Sequence, residues 1–392
     1  MKISSPFAAT AESPTLAITQ KAAELSAAGR DIISLSAGEP DCSTPSAAAE
    51  AGIQAIRNGN THYTPSAGIP ELRDAICRSL ERDFDLSYAR HEVCATASTK
   101  PAIFLSLCAI LEPGDEVVLM VPYWVSYPEM VRLAGGRTVL LSTREEDGFV
   151  PRLADLEACL ARPRVRAILL NSPGNPAGAV WPKQRTHELV DLCRRHDCWI
   201  LSDEIYAHIL YGTARHLSPA AVEGGRERTV VLNGLSKAYS MTGWRIGFLA
   251  GPSELVASVI RVQSHLFGNP CTISQAAAEV ALDEDGTACV TEMVAAFSKR
   301  RDFLLEQLSS IPELSLHAPE GAFYLFPGVK RLLDRTGGDD LRLAQRLLEE
   351  ARIAVVPGSA FGAPGHIRLS FAASLEALEE AMRRLKQWLS QS

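Results

Sequence analysis

The stretch AILLNSPGNPAGAVWPKQRTHELVDLCRRHDCWILSD, residues 167–203, carries the pattern that decides the fold. Its two apolar runs, Ala167 to Asn171 and Trp199 to Asp203, have the length and aliphatic content of strands buried on both faces. Between them, Lys183 to His196 spaces its apolar residues as one face of a helix does. Strand, helix, strand predicts a parallel pair joined by a crossover. The same alternation continues outward, with runs at Val117 to Val121 and Thr138 to Leu141 before it and Thr229 to Asn233 and Arg245 to Ala250 after it. Val125 to Leu133 and Leu153 to Leu160 fill two of the gaps with helical spacing. The expected class is therefore α/β, a mainly parallel sheet wrapped by helices, whose ligands collect just beyond the carboxyl ends of the strands.

After about residue 286 the pattern changes. A long helical stretch, Cys289 to Leu308, precedes strand-like runs at Leu314 to Phe326, Ile353 to Val356 and His366 to Phe371, with a helix at Leu341 to Ala351 and a closing one at Leu375 to Leu389. This reads as a smaller α+β domain of residues 286–392 joined by residues 1–39, including Leu16 to Ser26, beside a large domain of residues 40–285. No linker rich in Pro, Gly or Ser and no internal repeat separates the two, so close packing is expected.

Composition narrows the function. With 392 residues, 46% of them hydrophobic, the chain can bury a large core, and at about 150 residues per domain it is too long for a single unit. Its net charge of −7 offers no positive field for nucleic acid or an anionic membrane, so small soluble partners are expected. Nine cysteines without a CxxC pair argue against a disulfide framework or a structural metal, and point to a reducing cytoplasm. Met1 to Ala11 lacks the apolar run of a signal peptide, and no segment reaches the ~18 apolar residues of a membrane span.

Chemistry concentrates at the strand ends. Gly234-Leu235-Ser236-Lys237 follows an apolar strand, and Arg245 lies eight residues beyond the lysine. Most lysines are solvated surface charges, but one at a buried strand end can form a Schiff base with a carbonyl cofactor. The hydroxyl of Ser236 and the guanidinium of Arg245 suit a phosphate, and lysine plus phosphate site suggests pyridoxal phosphate. Such a cofactor needs a carboxylate at its ring nitrogen. Asp203 ends a strand in Ser202-Asp203-Glu204-Ile205-Tyr206, with Tyr206 one turn on for the ring oxygen and Glu204 pointing elsewhere; a helix cap and a packed tyrosine are the plain alternative.

Asn175, in the turn-rich Asn171 to Gly178, suits a bridge between ring oxygen and substrate carboxylate, and the peptide before Pro176 is a cis candidate. Ser98 and Thr99 open a helix running to Ile110, whose free amides suit a phosphate as well as an ordinary cap. Trp124 reads equally as a stacking ring or a core residue. Arg368, inside the apolar strand of the smaller domain, requires an anion: a substrate α-carboxylate or an internal salt bridge. The turn around Gly38 offers amides for the same carboxylate.

Together these segments resemble the class I and II aminotransferases of fold type I, most closely the bacterial aspartate aminotransferases, from Ser13 to Trp388. The most specific pieces are Ala37 to Asp41, His62 to Arg73, Pro122 to Met130, Asn171 to Gly178, Ser202 to Tyr206, Asn233 to Gly247, Gly321 to Tyr324 and His366 to Ser370. The resemblance implies a seven-stranded sheet and pyridoxal 5'-phosphate bound to Lys237. It implies Asp203 at the ring nitrogen, Tyr206 and Asn175 at the ring oxygen, and Trp124 stacked on the ring. Phosphate contacts fall to Ser98, Thr99, Ser236 and Arg245, and the α-carboxylate to Arg368, Asn175 and Gly38. It also implies a homodimer in which Tyr63 reaches the partner subunit's phosphate. Lys100 and Ser13 match the residues that take the distal carboxylate of acidic substrates, so aspartate with 2-oxoglutarate is expected; a pocket of His265, Phe267 and Phe323 would instead admit aromatic or other neutral side chains, and lyases or synthases share the core residues. Gly234 stands where one branch of the family has a phosphate-binding serine. A sensing domain appended to a DNA-binding module is disfavoured, because only about 12 residues precede the family-like segment, and no GxGxxG fingerprint supports a dinucleotide enzyme.

Overall fold

The computed structural model describes residues 3–10 and 12–391, so Met1, Lys2, Ala11 and Ser392 lie outside it and the reading of Met1 to Ala11 falls partly there. The strands in chain order are β1 (Ile33–Ser34), β2 (Val93–Thr96), β3 (Glu116–Val121), β4 (Arg137–Ser142), β5 (Val165–Asn171), β6 (Trp199–Asp203), β7 (Thr229–Gly234), β8 (Gly247–Ala250), β9 (Tyr324–Leu325), β10 (Ile353–Ala354), β11 (Val356–Pro357) and β12 (Ile367–Ser370).

Seven of them form one sheet in the order β2-β8-β7-β6-β5-β3-β4. Strands β3 to β7 run parallel, and only β8 is antiparallel to its neighbours β2 and β7. The expected α/β sheet is present, and its crossover helix between β5 and β6, Lys183–Arg195, matches the quoted stretch. Strand β2 escapes a reading by periodicity, because four fully buried residues show no alternation. The run expected from Arg245 starts at Gly247 instead; Arg245 itself adopts a left-handed φ of 53° in the turn before the strand.

Register aligns the site. Asn171 pairs with Asp203 across β5 and β6, and Asp203 with Leu232 across β6 and β7, so the ends of three parallel strands lie side by side. Gly234 pairs with Gly247, and a Cβ at Gly247 would sit 2.5 Å from the Thr99 amide nitrogen and 2.6 Å from the Ser98 carbonyl carbon. This close approach seats the start of the helix Thr99–Ile110 on the β7–β8 corner.

The C-terminal elements have their own core, centred on Phe297, Phe323, Phe371 and Trp388, in which Ile205, Tyr206, Ile209 and Tyr211 from the turn after β6 also bury. Beside it lie a three-stranded sheet, β11-β12-β9, and the parallel pair β1-β10. The expected strand Leu314 to Phe326 contracts to β9, because Pro319 and Gly321 break it and Ala322 turns left-handed at φ 57°. Ile353 to Val356 divides into β10 and β11. Of the free cysteines, Cys94, Cys193 and Cys198 are buried, whereas Cys42, Cys108, Cys271 and Cys289 are exposed, so core packing accounts for only part of the set. Among the described residues, no helix is long and apolar enough to cross a membrane.

Candidate active site

A cavity of about 390 Å³ opens beyond the ends of β5, β6 and β7, bounded also by the start of the helix Thr99–Ile110, by the segment at Gly38 and by β12. Asp203, Lys237, Asn175, Tyr206 and Arg368 all face it, so residues up to 193 positions apart in the chain meet at one site. Tertiary folding thus gathers the sequence-predicted chemistry.

Asp203 is 4% exposed. Its Oδ2 accepts a 2.6 Å hydrogen bond from the Tyr127 hydroxyl, and its Oδ1 accepts one from the Ile205 amide at 3.2 Å. Burial pushes its carboxyl up to about 6, against the pull of Tyr127 and the Ile205 amide. Asn171 donates Nδ2 to the Asp203 carbonyl at 2.9 Å and accepts the Asn175 amide at 2.8 Å, so one side chain ties the strand end to the turn behind it. The Asn175–Pro176 peptide is cis, as are Val121–Pro122 and Ser172–Pro173.

Lys237 lies just past β7, and its Nζ donates to the Gly38 carbonyl at 2.5 Å. Burial brings its ammonium down to about 8, with Arg368 and Arg245 adding to the shift and Glu39 and Asp203 opposing it. The shift raises the neutral fraction of the amine near physiological pH well above that of an ordinary lysine, and the neutral form is the one a nucleophile or proton acceptor requires.

Arg368 is 2% exposed on β12. It donates Nη1 to Asn175 Oδ1 at 3.0 Å and Nη2 to the Ser36 carbonyl at 2.7 Å, while its guanidinium carbon stands 4.4 Å from the Tyr324 ring centroid. No carboxylate accompanies it among these contacts, which removes the internal salt bridge as its explanation and leaves an arginine supplied only with neutral partners. Gly38 contributes its carbonyl to Lys237, and a Cβ there would lie 2.9 Å from the Tyr324 hydroxyl. Tyr206 and Tyr324 share a hydroxyl contact of 2.9 Å.

At the other end of the cavity, Ser98 has φ 104° and a buried hydroxyl with no partner. Thr99 spends its hydroxyl on the Asn233 carbonyl at 3.1 Å. Ser236 and Arg245 line the same end, with Arg245 donating Nη1 to the Thr242 carbonyl at 2.7 Å. Lys100 also borders the cavity, its Nζ 5.0 Å from the Trp124 ring centroid. Ser13 faces in from the N-terminal segment, where its Oγ meets Thr15 Oγ1 at 2.9 Å.

One sequence expectation, an apolar pocket of His265, Phe267 and Phe323, is not met in this chain's own cavity. Phe323 is fully buried in the second core, edge-on to Tyr206 at 5.5 Å, and does not line the cavity. His265 and Phe267, at the far end of the helix Ser253–Leu266, do not line it either. Tyr63, expected to reach the partner subunit's site rather than its own, is 98% exposed and lies outside this chain's cavity. Conversely, Tyr127, Asn171 and Tyr324 were missed. Tyr127 opens the helix Tyr127–Leu133 three residues after Trp124, their rings edge to face at 5.2 Å, and that spacing was the available signal.

Comparison with known proteins follows this geometry. The family described as Aminotransferase class I and II matches residues 30–385. The probable aspartate/prephenate aminotransferase of Aquifex aeolicus is 45% identical over 97% of this chain and 96% of its own length. The aspartate aminotransferase of Geobacillus stearothermophilus is 41% identical over 99% of both. The solved structure of aspartate aminotransferase from Thermus thermophilus with maleate superposes with a TM-score of 0.94 at 43% identity, covering 99% of each chain. With a part-buried lysine and a buried carboxylate facing one cavity at adjoining strand ends, and with this match over nearly its whole length, the chain belongs to the class I and II aminotransferases.

Proposed function

We propose that this aminotransferase works with pyridoxal 5'-phosphate and moves the amino group of L-aspartate to 2-oxoglutarate. The observation that carries the reading is the meeting of Lys237, Asp203 and Arg368 in one cavity. The residues fit the cofactor: the unpartnered Ser98 hydroxyl and the guanidinium of Arg245 suit its phosphate, and the buried Asp203 carboxylate suits a protonated ring nitrogen. Ser98, Thr99, Ser236 and Arg245 would hold the phosphate, Asp203 the ring nitrogen, Tyr206 and Asn175 the ring oxygen, and Trp124 the ring face. When bound, the cofactor supplies an electron sink for the charge left when an amino acid loses its Cα proton.

The chain's own groups do the remainder. Lys237 Nζ would hold the cofactor and is placed to take the Cα proton of a bound amino acid. Arg368, with Asn175 beside it, clamps the α-carboxylate and orients the Cα–H bond. Lys100 and Ser13 receive the distal carboxylate of an acidic substrate. The names of the relatives support aspartate, and the dicarboxylate maleate in the Thermus structure is of the size such a clamp would take. A prephenate reading has support from the Aquifex and Thermus relatives named aspartate/prephenate aminotransferase. A large domain of residues 40–285 and a small one of residues 1–39 with 286–392 form part of the proposal, supported by separate apolar cores. A homodimer in which Tyr63 enters the partner subunit's phosphate site does so as well, supported by the exposure of that side chain.

The test is a panel of amino donors, with 2-oxoglutarate and prephenate as acceptors, compared by kcat/KM in the wild type and Lys100→Ala. Loss of roughly 10- to 100-fold for aspartate, with alanine and phenylalanine little changed, is expected for one charge-assisted hydrogen bond. Equal losses across the panel would assign Lys100 to the cofactor end. Absence of any violet absorbance change on adding aspartate to the wild type would remove the cofactor from the proposal.

A further inference from the structure

Glu204 follows Asp203 directly, yet the proposed chemistry does not use it. It is completely buried, and a carboxyl group so placed is strongly disfavoured unless its oxygens are satisfied. Ser202 and Ser218 donate their hydroxyls to Oε1 at 2.8 and 2.6 Å. The His216 ring nitrogen Nε2 lies 3.1 Å from Oε2, off the line of a good hydrogen bond, in a side chain only 2% exposed. Phe84 closes the cluster, edge-on to the His216 ring at 5.6 Å.

Alternation along β6 puts Ser202 and Glu204 on one face and Asp203 on the other, so this cluster lies behind the carboxylate that faces the cavity. Ser218 and His216 belong to the loop entering the short helix Pro219–Ala221, so Glu204 ties that loop to the strand end. The Glu204 amide continues the ladder to the Leu232 carbonyl at 2.8 Å. A leucine of similar volume would fill the same space without desolvating an acid, so packing alone does not account for the residue.

We propose that Glu204 is a positioning residue for Asp203: held by the hydroxyls of Ser202 and Ser218, with His216 beside it, it fixes the strand end and backs the Asp203 carboxylate with a second acid, strengthening it as acceptor for a protonated ring nitrogen. The charge of Glu204 is among the influences that raise Asp203, in keeping with this role. The inference rests on the pyridoxal phosphate reading.

The experiment loads wild type, Glu204→Gln and Ser218→Ala with pyridoxal phosphate labelled with nitrogen-15 in the ring, and records the ring-nitrogen resonance alongside kcat and KM. Glu204→Gln should move the resonance toward its unprotonated position and lower kcat roughly tenfold with KM within about twofold. Ser218→Ala, which keeps the acid but removes one donor, should move both in the same direction by less, and it decides alone if Glu204→Gln does not fold. Variants that bind the cofactor with the wild-type resonance and kcat, and differ only in Tm, would reduce Glu204 to packing and overturn the inference. A wild type that takes up no cofactor would overturn the underlying reading instead.

Discussion

Asp203 illustrates at the scale of one residue how a functional group opposes the fold that holds it. Its carboxyl rises from an ordinary value of 3.8 to about 6 because burial penalises the charge. Between those values the native state binds more protons than the unfolded chain, so its contribution to stability falls as pH rises through that window. At about 1.36 kcal/mol for each unit, the ionised group disfavours the cofactor-free fold by up to about 3 kcal/mol above pH 6. Asp203→Asn should therefore abolish turnover while raising the denaturation free energy of the cofactor-free protein by about 1–3 kcal/mol at pH 8, and by much less at pH 4. Urea titrations at the two pH values read this directly, and a variant less stable at pH 8 would show that the charge supports the fold.

At the scale of elements, the decisive contact is between the corner of β7 and β8 and the start of the helix Thr99–Ile110. Two glycines allow it. A Cβ on Gly234 would stand 2.9 Å from the Gly247 Cα and from Thr99 Oγ1, which explains why the serine of one family branch has no room here. A Cβ on Gly247 would strike the backbone at Thr99 and Ser98, where no flexible side chain can yield. Gly247→Ala should push the helix start out of the cavity, weakening cofactor binding by at least roughly tenfold and destabilising the protein by about 1–3 kcal/mol. Gly243→Ala, whose Cβ would meet nothing within 4 Å, is the matched control. Cofactor titration by fluorescence compares the two, and equal affinities would disprove the packing argument.

At the scale of the whole molecule, the proposed dimer makes each site depend on both subunits. Co-expressed Tyr63→Ala and Lys237→Ala chains should give mixed dimers in which one site holds an intact Tyr63 and an intact Lys237, restoring activity above either variant alone. No recovery, in a mixture shown by sedimentation to contain mixed dimers, would place Tyr63 outside the partner's site. Local signals sufficed for much of this protein. Hydrophobic period fixes strand and helix along a stretch such as residues 167–203, because burial acts on each run through its own side chains. Lys237, Asp203 and Arg368 stood out in the same way, as charged groups at or within apolar strands, and Asn175 by its place in the turn after one. Tyr127 is 76 residues from Asp203, and their hydrogen bond exists only because the sheet brings its carboxyl ends under one helix. The loss of Phe323 to a core, and the discovery that Glu204 has two hydroxyl donors and a nearby histidine behind the strand, likewise depend on which face of an element meets which neighbour. Such contacts are set by register and by the packing of distant elements, and a linear pattern carries no record of either.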